Sequence, residues 1–267
     1  MWGHYIYQAV TLRFTIGRIL WPKVRSVAVR AVPRSDVGIR KSIQRKRGQI
    51  LFQQTFYTTM ASKWPVFLTA TNVEPKILNK AWILIQDYEF TDPEDEPSFI
   101  LLTSANLPDS TPKGVRQFTT TTPIADNDLA DLSMDKLRDL IQSKISKFQD
   151  LNITTENWVM IDQTSLESEQ CILVNRIYDD EAEEISWEIQ ALRIPLTEVY
   201  SMYANLDIAN MDFEDWVDED TGVQEDGTYK WAGAFEPSNE HIEKSEIETD
   251  ERRDAALKAA KDLGHID

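Results

Sequence analysis

The sequence predicts an α+β fold: a mixed, largely antiparallel sheet with packed helices in a single compact domain. Three observations carry this. Apolar or alternating segments at residues 98–104, 157–165, 171–178 and 185–195 have the length and composition of strands. The last two are joined by DDEAEE (179–184), an acidic, exposed turn that suits neighbouring antiparallel strands. Helical patterns at 133–148 and 195–206 give the order strand, helix, three strands, helix, which differs from the strict alternation of a doubly wound sheet.

In chain order, SFILLTS (98–104) is a short apolar strand. SMDKLRDLIQSKISKF (133–148) places Met134, Leu137, Leu140, Ile141, Ile145 and Phe148 on one helical face. Ser133 is its N-cap, because a serine hydroxyl can take an otherwise orphaned first-turn N–H. NWVMIDQTS (157–165) and CILVNRIY (171–178) follow as strands. In ISWEIQALRIP (185–195), Ile185, Trp187, Ile189 and Ala191 alternate with Ser186, Glu188 and Gln190, so one face is half buried. Pro195 ends that strand and sits near the first turn of PLTEVYSMYANL (195–206). Threonine-rich TTTTPI (119–124) reads as a strand or its edge.

Charge divides the chain. Of 28 basic and 45 acidic residues, 11 basic residues and only one acid, Asp36, fall within residues 1–59, leaving 17 basic against 44 acidic residues beyond. Residues 1–59 form a basic leader with the composition of an organelle transit peptide, which implies a mitochondrial location. An alternative start at Met60, in MASKWPVFLTA, implies a cytoplasmic protein. A third reading uses KSIQRKRG as a nucleic-acid arm. The folded domain is expected over 64–235, with residues 236–267 a charged, mobile tail in which TDERRDAALKAAKDLG has only a narrow apolar stripe. So acidic a body should repel nucleic acid, and its apolar runs fall far short of the roughly 20 residues of a membrane span.

The chemistry-bearing residues are few. Cys171, the only cysteine, is followed by Ile172, Leu173 and Val174 and reads as a buried strand residue. The three histidines, His4, His241 and His265, lie outside the expected domain, which removes most His-assisted nucleophiles and zinc sites. With nine glycines and no G-x-G-x-x-G or G-x-x-x-x-G-K-[ST], no phosphate cradle is expected. G-x-S-x-G, H-E-x-x-H and C-x-x-C are also missing, and no cofactor is implied.

The acidic stretch LDIANMDFEDWVDEDTG (206–222) is the candidate site. It fails as a calcium loop: counted from Asp218, Gly222 and Val223 fall where an oxygen ligand and the turn glycine belong. Helical spacing explains more, with Leu206, Ala209, Phe213, Trp216 and Val217 on a buried face and Asp207, Asp212, Asp215 and Asp218 towards water. RIPLTEVYSMYANLDIANMDFEDWVDEDTGVQEDGTYKWAGAF and the preceding NWVMIDQTSLESEQCILVNRI resemble the DUF6924 family, short bacterial and fungal domains ending in an N-L-S-I-A-N-M-D-F-E-E-F-like motif. The resemblance implies a compact α+β domain and no activity, cofactor or catalytic residue. Two functions remain open. One is a non-catalytic module that binds a protein partner through this region, with Asn210, Asp212, Glu214 and Trp216 as binding residues. The other is a carboxylate-based hydrolase or metal-dependent enzyme using Asp207, Asp212 and Asp215.

Overall fold

The structure, a computed structural model, describes residues 62–86, 98–110, 124, 127–179, 181–207, 211–233 and 240–267, the side chains of 240–249 excepted. The leader 1–59, most of TTTTPI, Asn210 and Phe235 lie outside the described residues. The fold is α+β, built on a six-stranded mixed sheet in the order β2-β1-β3-β4-β5-β6. Its strands are β1 (Trp64–Leu68), β2 (Phe99–Leu102), β3 (Asn157–Ile161), β4 (Gln170–Asp179), β5 (Glu184–Pro195) and β6 (Tyr229–Lys230). The helices are α1 (Pro75–Ile85), α2 (Met134–Ser143), α3 (Ile145–Asp150), α4 (Gln163–Ser168), α5 (Val199–Asp207) and α6 (Glu240–Asp262).

The longest pairing is the β4–β5 hairpin, antiparallel from Gln170 opposite Pro195 to Asp179 opposite Glu184. β3 pairs antiparallel with β4, so the centre of the sheet has the expected direction. β1 instead runs parallel to both β2 and β3. This part of the sheet is wound on both faces. Val66 and Leu68 of β1 share one core with Leu78 and Trp82 of α1 and Met202 and Tyr203 of α5, whereas Phe67 shares the other with Leu137 and Ile141 of α2 and Phe148 of α3. Alternation along each strand sorts side chains to the two cores, as the pleat requires. In the first core Trp64 stacks on Tyr203 at 4.5 Å between ring centroids, Phe99 meets Tyr203 edge-on at 5.8 Å, and the Tyr203 hydroxyl donates to Asn157 O at 2.6 Å.

Several sequence expectations change. The 133–148 helix divides at Lys144 (φ −118°, ψ 17°) into α2 and α3, although Ser133 does cap α2 by accepting the Lys136 N–H. The strand expected over 157–165 stops at Ile161, because Asp162 accepts the Ser165 N–H at 2.7 Å and turns DQTS into the start of α4. The second expected helix begins as a 3-10 turn, Leu196–Glu198, before α5. β1 and α1 have no counterpart in the sequence reading. α1 is apolar on nearly every side because the sheet covers one face and the chain's end covers another: Ile83 is buried with Ala260 and Ile266. Asn79 Nδ2 there donates to His265 O at 2.8 Å. The stretch 236–267, expected to be mobile, thus contains α6, whose C-terminal turns and following residues seat on α1.

Candidate functional site

The helix expected through residues 206–217 is instead two short elements. α5 ends at Asp207, Asp212 is extended, and Phe213–Trp216 forms a 3-10 turn. Apolar spacing is kept even though the helix is not: Phe213, Trp216 and Val217 are buried, while Leu206 is half-buried. Val217 bridges to Trp231 rather than continuing a helix, and Ala232 N donates to Trp216 O at 3.0 Å. For Phe213, Trp216 and Val217 the periodicity reported burial correctly and conformation wrongly, because a 3-10 turn followed by an extended residue brings the same side chains inward; Ala209, the remaining residue of that face, lies outside the described residues.

The structure places the predicted catalytic aspartates at the end of α5 (Asp207) and at the start of and within the 3-10 turn (Asp212, Asp215). Asp215 accepts the Asp212 N–H at 3.0 Å and ties the turn to its own start. Asp212 and Asp215 are exposed, as is Glu214 between them. Trp216, predicted as a binding residue, is a core side chain at 2% exposure and cannot present itself to a partner. Asp207 stands apart, at the end of α5. Partial desolvation raises the pKa of its carboxyl and that of Glu156, and Asp207 raises Glu156 further while Arg176 opposes the change. Among the described residues no cluster of three His, Cys, Asp or Glu side chains is arranged to hold a metal ion. Cys171 is fully buried, and burial pushes its thiol pKa up, away from thiolate chemistry.

From Asp212 to Asp226 the chain forms an acidic ledge. Glu214, Asp215, Glu219, Asp220, Glu225 and Asp226 are all exposed. Local bonds fix its shape. Asp218 accepts from Thr221 N at 3.2 Å and Thr221 Oγ1 at 2.6 Å, and Lys230 Nζ lies 3.5 Å from it. Those contacts hold the Asp218 carboxyl below its usual range, the Thr221 hydrogen bonds foremost. Asp226 accepts from Thr228 N at 3.0 Å and Thr228 Oγ1 at 2.6 Å. Val223 pairs across to Tyr229, and Gly222 and Gly227 take positive φ, so the ledge folds back as a tight ribbon on β6.

Sequence reasoning missed a second feature, at the carboxyl ends of the parallel strands. The connection leaving β1 enters α1 on one face and that leaving β2 leads to α2 on the other, so the strand ends open onto a crevice, where α/β sheets commonly bind ligands. This cleft, of about 300 Å³, is lined by Thr69, Asp131, Ser133, Thr164, Met160 and Ile172, among others. Arg193 of β5 closes one side. Its guanidinium donates to Asp162 through Nη1 at 3.3 Å and Nη2 at 2.9 Å, and to Asp226 Oδ2 through Nε at 3.1 Å and Nη2 at 3.0 Å. Ser165 N and Oγ also donate to Asp162 Oδ1, at 2.7 and 2.6 Å. Against the cost of burial, Arg193 and Ser165 hold the Asp162 carboxyl below its usual range, Thr228 and then Arg193 do the same for Asp226, and the two carboxylates raise Arg193. Gly227 (φ +82°) lets the end of the ledge approach α2: a Cβ there would meet Met134 Cε at 3.3 Å. No local motif marks this site, since Asp131, Asp162, Arg193 and Asp226 lie about thirty residues apart along the chain.

Among known proteins, the family described as Domain of unknown function (DUF6924) matches residues 91–231, more than half the chain, and the chain belongs to that family. The match begins after β1 and α1 and takes in the whole ledge and the clamp that Arg193 makes between Asp162 and Asp226. No curated protein and no solved structure matches the chain.

Proposed function

We propose that this DUF6924-family domain is a non-catalytic interaction module that receives a basic segment of a partner protein on the ledge formed by residues 212–226. One observation carries the reading: the carboxylates of the ledge face solvent on a frame fixed from behind. Phe213, Trp216 and Val217 anchor it in the core, and the Arg193–Asp226 and Asp218–Thr221 contacts set its outline. A surface already ordered before binding loses little entropy on docking, and one sign of charge steers a partner of the other. The same charge disfavours nucleic acid, whose phosphates would meet Glu214, Glu219, Asp220 and Glu225.

The binding residues of this reading are Asp212, Glu214, Glu219, Asp220 and Glu225, with Trp216 acting from within as the anchor. Anisotropy of a labelled lysine- and arginine-rich peptide, titrated with the full chain over a salt series, tests it. Binding should weaken steeply with salt, and changing Glu214, Glu219 and Asp220 together to Gln should weaken it about tenfold or more. Equal binding by that variant would overturn the reading.

A second reading, acid/base chemistry, rests on two neighbouring, solvent-exposed carboxyls, Asp207 and Glu156, each raised in pKa by partial desolvation and Glu156 also by the charge of Asp207. It uses Asp207 without Asp212 or Asp215, the Asp215 carboxylate being engaged by the Asp212 backbone N–H. Following the Asp207 carboxyl by nuclear magnetic resonance through an acid titration tests it, and a midpoint at or below the ordinary aspartate value would remove it.

A further inference from the structure

We propose that the cleft at the carboxyl ends of β1 and β3 is a pocket for one lysine side chain of the basic partner, so that the ledge supplies the approach and the cleft supplies the anchor. The inference rests on the function proposed above and adds a defined subsite to it. Three features of the cleft support it.

The first is charge. Asp131, Asp162, Asp226 and Arg193 are the charged residues that line the cleft. The guanidinium is shared between Asp162 and Asp226, and its side chain is only 16% exposed. It offers little to an incoming anion, whereas three carboxylates against one cation leave the cleft negative. Among the described residues Asp131 makes no ion pair or side-chain hydrogen bond, though its backbone N–H is tied to Thr69 O at 2.9 Å. A carboxylate so held at the rim is an unused acceptor.

The second is the lining, which is part apolar and part polar. Met134, Met160 and Ile172 contribute the apolar part, on which the methylenes of a lysine can lie, while the Asp131 carboxylate and the Thr164 hydroxyl are separate acceptors and the Ser133 hydroxyl, which already takes the Lys136 N–H, keeps a second lone pair. Scattered acceptors suit the three rotatable donors of an ammonium better than the flat fork of a guanidinium. The volume, about 300 Å³, is at the small end of ligand sites and takes a side chain rather than an extended cofactor.

The third is continuity. Asp226 belongs both to the ledge and to the cleft, and Arg193 and Asp226 also border a larger hollow, of about 600 Å³, lined by Glu225, Tyr229, Lys230 and Trp231. A peptide lying along the ledge therefore reaches the cleft through Asp226.

The test uses the full chain carrying isotope-labelled methionine methyl groups, with Met134 and Met160 as reporters inside the cleft. The probe is the capped tripeptide acetyl-Ala-Lys-Ala-amide. Its addition should move the Met134 and Met160 signals and saturate in the millimolar range, and the Nε-acetylated lysine version should not. Asp131→Asn, tolerated at φ +59° because Asn accepts left-handed backbone, should weaken the probe about three- to fivefold, while Glu181→Gln, in the exposed β4–β5 turn, should leave it unchanged. Unmoved methyl signals, or equal binding of the acetylated probe, would overturn the lysine pocket. If the longer basic peptide still binds the ledge in that case, the proposed function stands and only the pocket falls. If the tripeptide binds and the longer peptide does not, the pocket stands and the ledge reading falls.

Discussion

Replacing Arg193 with methionine keeps most of the aliphatic stem and removes the guanidinium that ties Asp162 at the end of β3 to Asp226 in the ledge. The loss can be estimated from exposure. Asp162 is 27% exposed and its bond to Arg193 is two-pronged, so losing it should cost about 2 kcal/mol, as for a charge-assisted hydrogen bond that leaves a partly buried acceptor. Asp226 is 44% exposed, so solvent screens its pair and its share is about 0.5 kcal/mol. At pH 7 the substitution should therefore cost about 2–3 kcal/mol. The pH dependence has a definite sign. Both carboxyls are held below their usual range in the folded protein, so their stabilisation is present above the unfolded aspartate pKa of about 3.9 and is lost as pH falls through the folded values. Urea denaturation at pH 7 and again near pH 3 reads this. The difference between wild type and Arg193→Met should be smaller at the lower pH, because the carboxyls begin to protonate in the unfolded chain there. A cost under about 0.5 kcal/mol at pH 7, or the same cost at both pH values, would refute the clamp as described.

Two further substitutions separate core from surface and test the carboxylate pair. Trp216→Ala should cost about 3–5 kcal/mol by chemical denaturation, the usual penalty for emptying a buried aromatic site, whereas Asp215→Asn, which keeps an acceptor for the Asp212 N–H, should cost no more than about 0.5 kcal/mol. Asp207→Asn should raise stability at pH 7 and change it little well below the aspartate range. A carboxyl whose folded pKa is raised favours the fold while protonated, and that advantage fades as pH rises through the folded value. Thermal melts at both pH values would show it, and a destabilising effect at pH 7 would mean that the charge of Asp207 serves the fold.

The β4–β5 hairpin was legible in the sequence because its signal is local: alternation along Ile185–Ala191, an acidic turn, and proline at the end. Ser133 was legible as a cap for the same reason. β1 and α1 were not, since all five residues of β1 are buried between two helical layers and α1 is covered on two sides, so neither carries the polar half of a pattern. Asp162 looked like part of a strand because strand and helix cap follow without a loop, and only its bonds to Ser165 reveal the change. Around Phe213 and Trp216 helical spacing and a 3-10 turn bury the same residues, so apolar period alone could not choose between them. The cleft needed tertiary structure: its charged residues come from the loop before α2, the end of β3, the C-terminal part of β5 and the ledge, with no spacing rule joining them.

Mapping amide chemical shifts of the isotope-labelled full-length chain during titration with a lysine-rich peptide tests most directly whether the ledge receives a basic partner. The predicted result is a set of salt-sensitive shifts concentrated at residues 212–226, spreading to Asp131 and Asp162, while the β4–β5 turn at 181–184, which is also acidic, stays unmoved. Shifts spread evenly over every acidic surface, or confined to residues outside the ledge, would contradict it.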